Sequence, residues 1–103
     1  MAQNRDVDHL NFSGSGIQTV AVGADEFINI FQVDISIAVD TIVTIKIGTK
    51  IIFTGSLSAS SAPIQLFFYD FGNGRGSGEK GDDLTVELGE SGDVFVARII
   101  ESD

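Results

Sequence analysis

The stretch Phe31-Gln32-Val33-Asp34-Ile35-Ser36-Ile37-Ala38-Val39-Asp40 decides the fold. Large apolar side chains recur at every second position, Phe31, Val33, Ile35, Ile37 and Val39, with Gln32, Asp34, Ser36, Ala38 and Asp40 between them. Successive side chains of a strand point to opposite faces, so this pattern builds a strand with one dry face and one wet face. Beyond Asp40 the alternation resumes, with Val43, Ile45 and Ile47 set against Thr44 and Lys46. β-Branched residues dominate both runs, as a pleated, half-buried surface favours.

Outward from this core the same signal recurs between punctuating glycines and predicts strands near 18–22, 27–39, 41–47, 50–54, 64–69, 83–88 and 94–100. Gly or Asp interrupts each apolar run before a helical period develops, which leaves room for at most one short helical turn near 23–26. So many short strands in a chain of 103 residues predict one all-β domain, a jelly-roll-like antiparallel β-sandwich.

Three runs break the alternation. Ile51-Ile52-Phe53, Leu66-Phe67-Phe68-Tyr69 and Val94-Phe95-Val96-Ala97 carry apolar side chains toward both faces. A strand buried on both sides of so small a domain needs a second cover, and another subunit supplies one. Phe67, Tyr69 and Phe95 are therefore candidate subunit-interface residues. Arg98 sits within the last apolar run, either exposed on an edge strand or in a salt bridge across a subunit interface.

The first sixteen residues, MAQNRDVDHLNFSGSG, mix charges of both signs with Val7, Leu10 and Phe12 and close on a Ser-Gly repeat. That composition predicts an extended N-terminal arm, 1–16, and a flexible joint ahead of the β domain, 17–103. The arm is either a solvated terminus or a docking element in which Arg5, Asp6, His9, Leu10 and Phe12 meet a partner. An arm of this kind is expendable for folding, so removal of residues 1–12 is expected to leave the β domain intact and abolish docking.

Composition excludes much else. Six Lys plus Arg stand against fifteen Asp plus Glu, for a formal net charge of −9, and no basic cluster offers itself to phosphates. Nucleic acid and anionic membrane surfaces are not expected partners. With no cysteine there is no disulfide, thiolate metal site or cysteine nucleophile, and one histidine does not build a zinc site. No unbroken apolar stretch has the length of a membrane helix, and residues 1–15 lack the apolar centre of a signal peptide, so a soluble chain without a cleaved leader is expected.

Residues 72–81 hold five of the twelve glycines, with G-x-G-x-x-G at Gly76, Gly78 and Gly81. A dinucleotide fingerprint opens a helix, whereas this segment runs into the strand-like Asp82-Asp83-Leu84-Thr85-Val86; an interstrand loop is the better reading and no cofactor is expected. Asp70, Asn73, Glu79, Asp82 and Asp83 supply oxygen ligands around the loop, but their spacing matches neither the EF-hand nor calcium β-roll repeats, so no metal is assigned. The carboxylates fall mostly at turns, His9 lies in the arm and no serine occupies a G-x-S-x-G elbow, so no catalytic residues are assigned and an enzyme is not expected.

The passage Glu79-Lys80-Gly81-Asp82-Asp83-Leu84-Thr85-Val86-Glu87-Leu88, followed by Gly92-Asp93-Val94-Phe95-Val96, places a Gly-Asp loop, a short strand, a glycine turn and a last apolar strand in succession. In this cadence the chain resembles small jelly-roll proteins of tailed bacteriophages, in particular capsid decoration or cement proteins, over residues 17–101. The resemblance implies a homotrimer seated on the capsid exterior of the virion, with the major capsid protein and sister copies as partners and no catalytic residues. One common decoration type has an arm rich in Pro and Ala; Pro is absent from this arm, so that mode of docking does not carry over. The alternative is a carbohydrate- or receptor-binding β-sandwich, such as a fibre tip or secreted module. Absence of Trp and a single Tyr weigh against it, because sugar platforms usually stack pyranose rings on those side chains.

Overall fold

The computed structural model describes residues 4–58, 63–68 and 77–102. Among them the chain is all-β and antiparallel throughout, with no helix, and has the sandwich-like character of a curled sheet. The strands are β1 (Asn4–Val20), β2 (Glu26–Ile37), β3 (Thr41–Ile47), β4 (Lys50–Leu57), β5 (Ile64–Phe67) and β6 (Leu84–Ser102), in the sheet order β4-β3-β6-β2-β5 with β1 also on β6.

β6 organises the molecule. Its first segment pairs with β3, from Ile47 opposite Leu84 to Val43 opposite Leu88, and its second pairs with β2, from Ile37 opposite Gly92 to Glu26 opposite Ser102. β1 accompanies both segments. At about 3.3 Å per residue a straight strand of this length would span roughly 60 Å. The longest dimension of the molecule is 48 Å, so β6 must bend. The bend falls at 89–92, where Gly89 and Gly92 pass close to Thr41 and Ile37, and Thr41 Oγ1 accepts the Glu90 N–H at 2.8 Å. Glycine therefore bends the strand here, where the sequence pattern places a break between two strands.

The stretch expected to be an arm is the first half of β1. Asn4 through Gly14 pair residue by residue with Ser102 through Gly92, and the expected joint is a bulge after which Gly16 pairs with Leu88. Gly14 and Gly16 have φ of 94° and 100°, a conformation that glycine enters without a Cβ penalty, so the Ser-Gly repeat shapes a strand irregularity in place of a hinge. Phe12 is buried in the core, so removal of residues 1–12 would take away a core aromatic together with half of β1. The segment 23–26 is a reverse turn, closed by the Glu26 N–H on the Gly23 carbonyl at 3.0 Å and by the Gly23 N–H on Glu26 Oε1 at 2.7 Å.

The inward side chains form one core: Val33 opposite Val96, Ile35 opposite Val94, Ile45 opposite Val86 and Val43 opposite Leu88, all fully or almost fully buried. Each contributes about 1.5–3 kcal/mol by leaving water. In β2 the register shifts between Ile30 and Gln32, so the inward residues change from Ile28 and Ile30 to Val33, Ile35 and Ile37. Phe31 is the extra residue of this bulge, outside the alternation that the sequence suggests, and Val39 lies exposed beyond the strand.

Candidate functional site

The bulge at Phe31 and the small side chain of Ala97 together open a groove on the outward face of β1, β6 and β2. Two rows cross this face. His9, Ala97, Gln32 and Phe67 are paired in turn across β1, β6, β2 and β5, and one step along lie Asn11, Phe95, Asp34 and Gln65. Ala97 is the small member of its row, flanked by His9 and Gln32 and followed along β6 by Ile99 and preceded by Phe95 on the same face, so a depression forms over it. The groove encloses about 370 Å³, with His9, Asn11, Phe31, Gln32, Asp34 and Phe95 around Ala97.

Its polar side chains are partly organised. Gln32 Nε2 donates to both carboxylate oxygens of Asp34 at 3.1 Å, which holds two planar groups in one orientation. His9 and Asn11 are exposed at the opposite wall, and Phe95 stands 45% exposed between the walls. No family model and no curated protein matches the chain. The groove is therefore read from its own chemistry.

The residues named from sequence divide. Among the arm candidates His9 and Leu10 border the groove, Leu10 also packing against the core, and Phe12 is part of the core. Arg5 and Asp6 pair through the backbone with Glu101 and Ile100. Among the interface candidates Phe67 and Phe95 are exposed on the outward face, and Tyr69 lies outside the described residues. Arg98 is neither on an edge nor directed at a neighbouring copy: it is 3% exposed in the central strand, and its Nη2 lies 3.1 Å from Asp8 Oδ2 of its own chain. Its Nη1 is buried without a hydrogen-bond partner among the described residues.

The glycine-rich segment closes one end of the fold where it is described; Gly76, Asp70 and Asn73 lie outside the described residues. Gly78 N–H donates to Ile28 O at 2.9 Å and Gly81 N–H to Glu26 O at 2.8 Å, which seals the outer edge of β2 beyond β5. Asp82 Oδ2 accepts the Glu79 N–H at 3.0 Å, so that carboxylate caps a turn; no cluster able to hold a metal occurs among the described residues. A polar network lies behind this edge, where Asn29 Nδ2 donates to Glu101 Oε2 and Ser77 Oγ donates to Asn29 Oδ1 at 2.6 Å.

Sequence reasoning missed Asn11, Gln32, Asp34 and Ala97. Their alternation with apolar residues marked a solvent face, but nothing in one sequence says which strands lie side by side. The cross-strand register alone assembles them.

Proposed function

We propose that the chain is a non-enzymatic virion structural protein, a capsid decoration or cement protein that binds the outer surface of a bacteriophage head and stabilises it as a homotrimer. The observation that carries this reading is a set of exposed isoleucines on the other half of the sheet, outward from β3, β4 and the adjoining parts of β6 and β1. Ile17, Ile42 and Ile51 stand there 67%, 59% and 55% exposed. Threonine pairs fill the space between them, Thr44 against Thr54 with hydroxyls 3.0 Å apart and Thr19 against Thr85 at 3.3 Å.

Exposed isoleucines on one sheet face supply apolar area to a contact, worth about 25 cal/mol for each Å² removed from water. The charged side chains of this ladder, Lys46 and Glu87, are of opposite sign, in a chain whose net charge is −9. Copies of an acidic protein meet least repulsion at such a surface. The resemblance to phage decoration proteins supplies the identity of the partner, the major capsid protein.

Native mass spectrometry and co-sedimentation with heads of the parent phage test the reading. A trimer that pellets with heads and raises their heat resistance is expected, and a folded I17S/I42S/I51S variant should stay in the supernatant. A persistent monomer that never pellets would overturn it.

A further inference from the structure

We propose that the groove over Ala97 binds carbohydrate, with Phe95 as the stacking platform for one sugar ring. The site stands independently of the capsid reading, on shape, on one exposed ring and on the hydrogen-bonding inventory of its walls.

Shape comes first. A volume of about 370 Å³ lies within the ~300–1,000 Å³ range of small-molecule sites. Its floor is a methyl group, and its most exposed large apolar side chain is Phe95, on the same outward face as Ala97. The face of an aromatic ring carries partial negative charge, to which the polarised C–H groups on the apolar side of a pyranose are attracted.

The walls select among ligands. A hydroxyl both donates and accepts, and Asn11 and Gln32 each offer a donor and an acceptor beside the ring nitrogens of His9, while Asp34 accepts from more than one hydroxyl. The Gln32–Asp34 hydrogen bonds orient both planar groups before a ligand arrives, which lowers the ordering cost of binding. A phosphate or carboxylate ligand would face Asp34 in a chain of net charge −9. A cation would meet one carboxylate, already engaged by Gln32, and no cluster able to hold a metal occurs among the described residues. An entirely apolar ligand would strip water from four polar side chains and return no hydrogen bond. A neutral polyhydroxyl compound satisfies the whole set.

The test is a ¹H–¹⁵N NMR titration of the full chain with maltose, lactose and N,N′-diacetylchitobiose to about 50 mM, which reaches millimolar dissociation constants. At least one sugar should give saturable shifts largest at the Asn11 and Gln32 side-chain amides and the backbone amides of 95–97. Ala97→Leu, which fills the floor, and Phe95→Ala, which removes the platform, should each weaken binding by about tenfold or more and leave distant resonances in place. Both side chains lie on the outward face, so neither substitution opens the core. No shift with any of the three sugars would overturn the proposal, as would sugar shifts that survive both substitutions. Saturable shifts at these signals with ethylguanidinium or inorganic phosphate, and none with sugar, would assign the groove to an ion and overturn it equally.

Discussion

A Cβ placed on Gly78 would lie 2.2 Å from Ile47 Cγ2, closer than real carbon atoms approach, and Ile47 is fully buried with little room to yield. Gly78→Ala is therefore expected to cost about 2–3 kcal/mol, the upper part of the overpacking range. For a domain of this size that lowers the melting temperature by of order 10 °C, measurable by circular dichroism. Arg98 poses a different problem. Its guanidinium is buried with one nitrogen unpartnered, while its partner Asp8 keeps 39% of its side chain in water. Removing only the acid, Asp8→Ala, strands the charge and should destabilise by about 1–3 kcal/mol, partly compensated by water entering at the Asp8 side. Replacing the base, Arg98→Met, removes the desolvation cost along with the ion pair and should be neutral or stabilising in the same urea titration. If Asp8→Ala proved neutral while Arg98→Met collapsed the fold, packing of the Arg98 stem would be its main contribution.

At the scale of elements, the β1–β6 ribbon is the part of the fold with most at stake. Residues 4–14 cover the second segment of β6, and Phe12 fills a core position, so a chain lacking residues 1–12 loses a core aromatic and a neighbour strand together. Loss of β-sheet circular dichroism and of dispersed amide resonances is expected for that truncation; a folded product would show that β1 is an accessory strand after all. Gly14 and Gly16 act in the same element by a different mechanism. Their positive φ values let β1 change register beside the bend of β6, and a Cβ at either site meets no atom within 4 Å. Conformational strain alone then determines the cost of alanine, about 1–2 kcal/mol per site. The double variant should melt lower and keep the same spectrum.

At the scale of the whole molecule, the first and last described strands are partners, with Asn4 opposite Ser102, and β2 and β3 dock on a strand that begins only at Leu84. Every sheet contact of β6 thus closes a long loop, whose entropy must be met before its contacts form. Refolding from urea is expected on the millisecond-to-second scale typical of non-local β topologies, and stopped-flow fluorescence of the single tyrosine can follow it. A chain ended after residue 92 should remain unfolded, because Val94 and Val96, which complete the core opposite Ile35 and Val33, are then missing. The same topology separates two outward surfaces. One half of the sheet presents Ile17, Ile42 and Ile51, and the other presents the groove over Ala97.

The sequence by itself determined that the chain is all-β, where β3 lies and that Val33, Ile35 and Ile37 of β2 and Val43, Ile45 and Ile47 of β3 enter the core, because period-two alternation is a local consequence of the strand's pleat. It also marked Phe67 and Phe95 as apolar side chains without a place in a two-layer core. Only the tertiary structure decided that 83–88 and 94–100 are one bent strand, that the N-terminal stretch is its partner, that Arg98 pairs within its own chain and that Phe95 stands over a hollow beside Asp34. The physical reason is common to all four. Whether a glycine ends a strand or bends it, and which outward side chains become neighbours, depends on cross-strand register, and register is settled by the packing of residues distant in the chain.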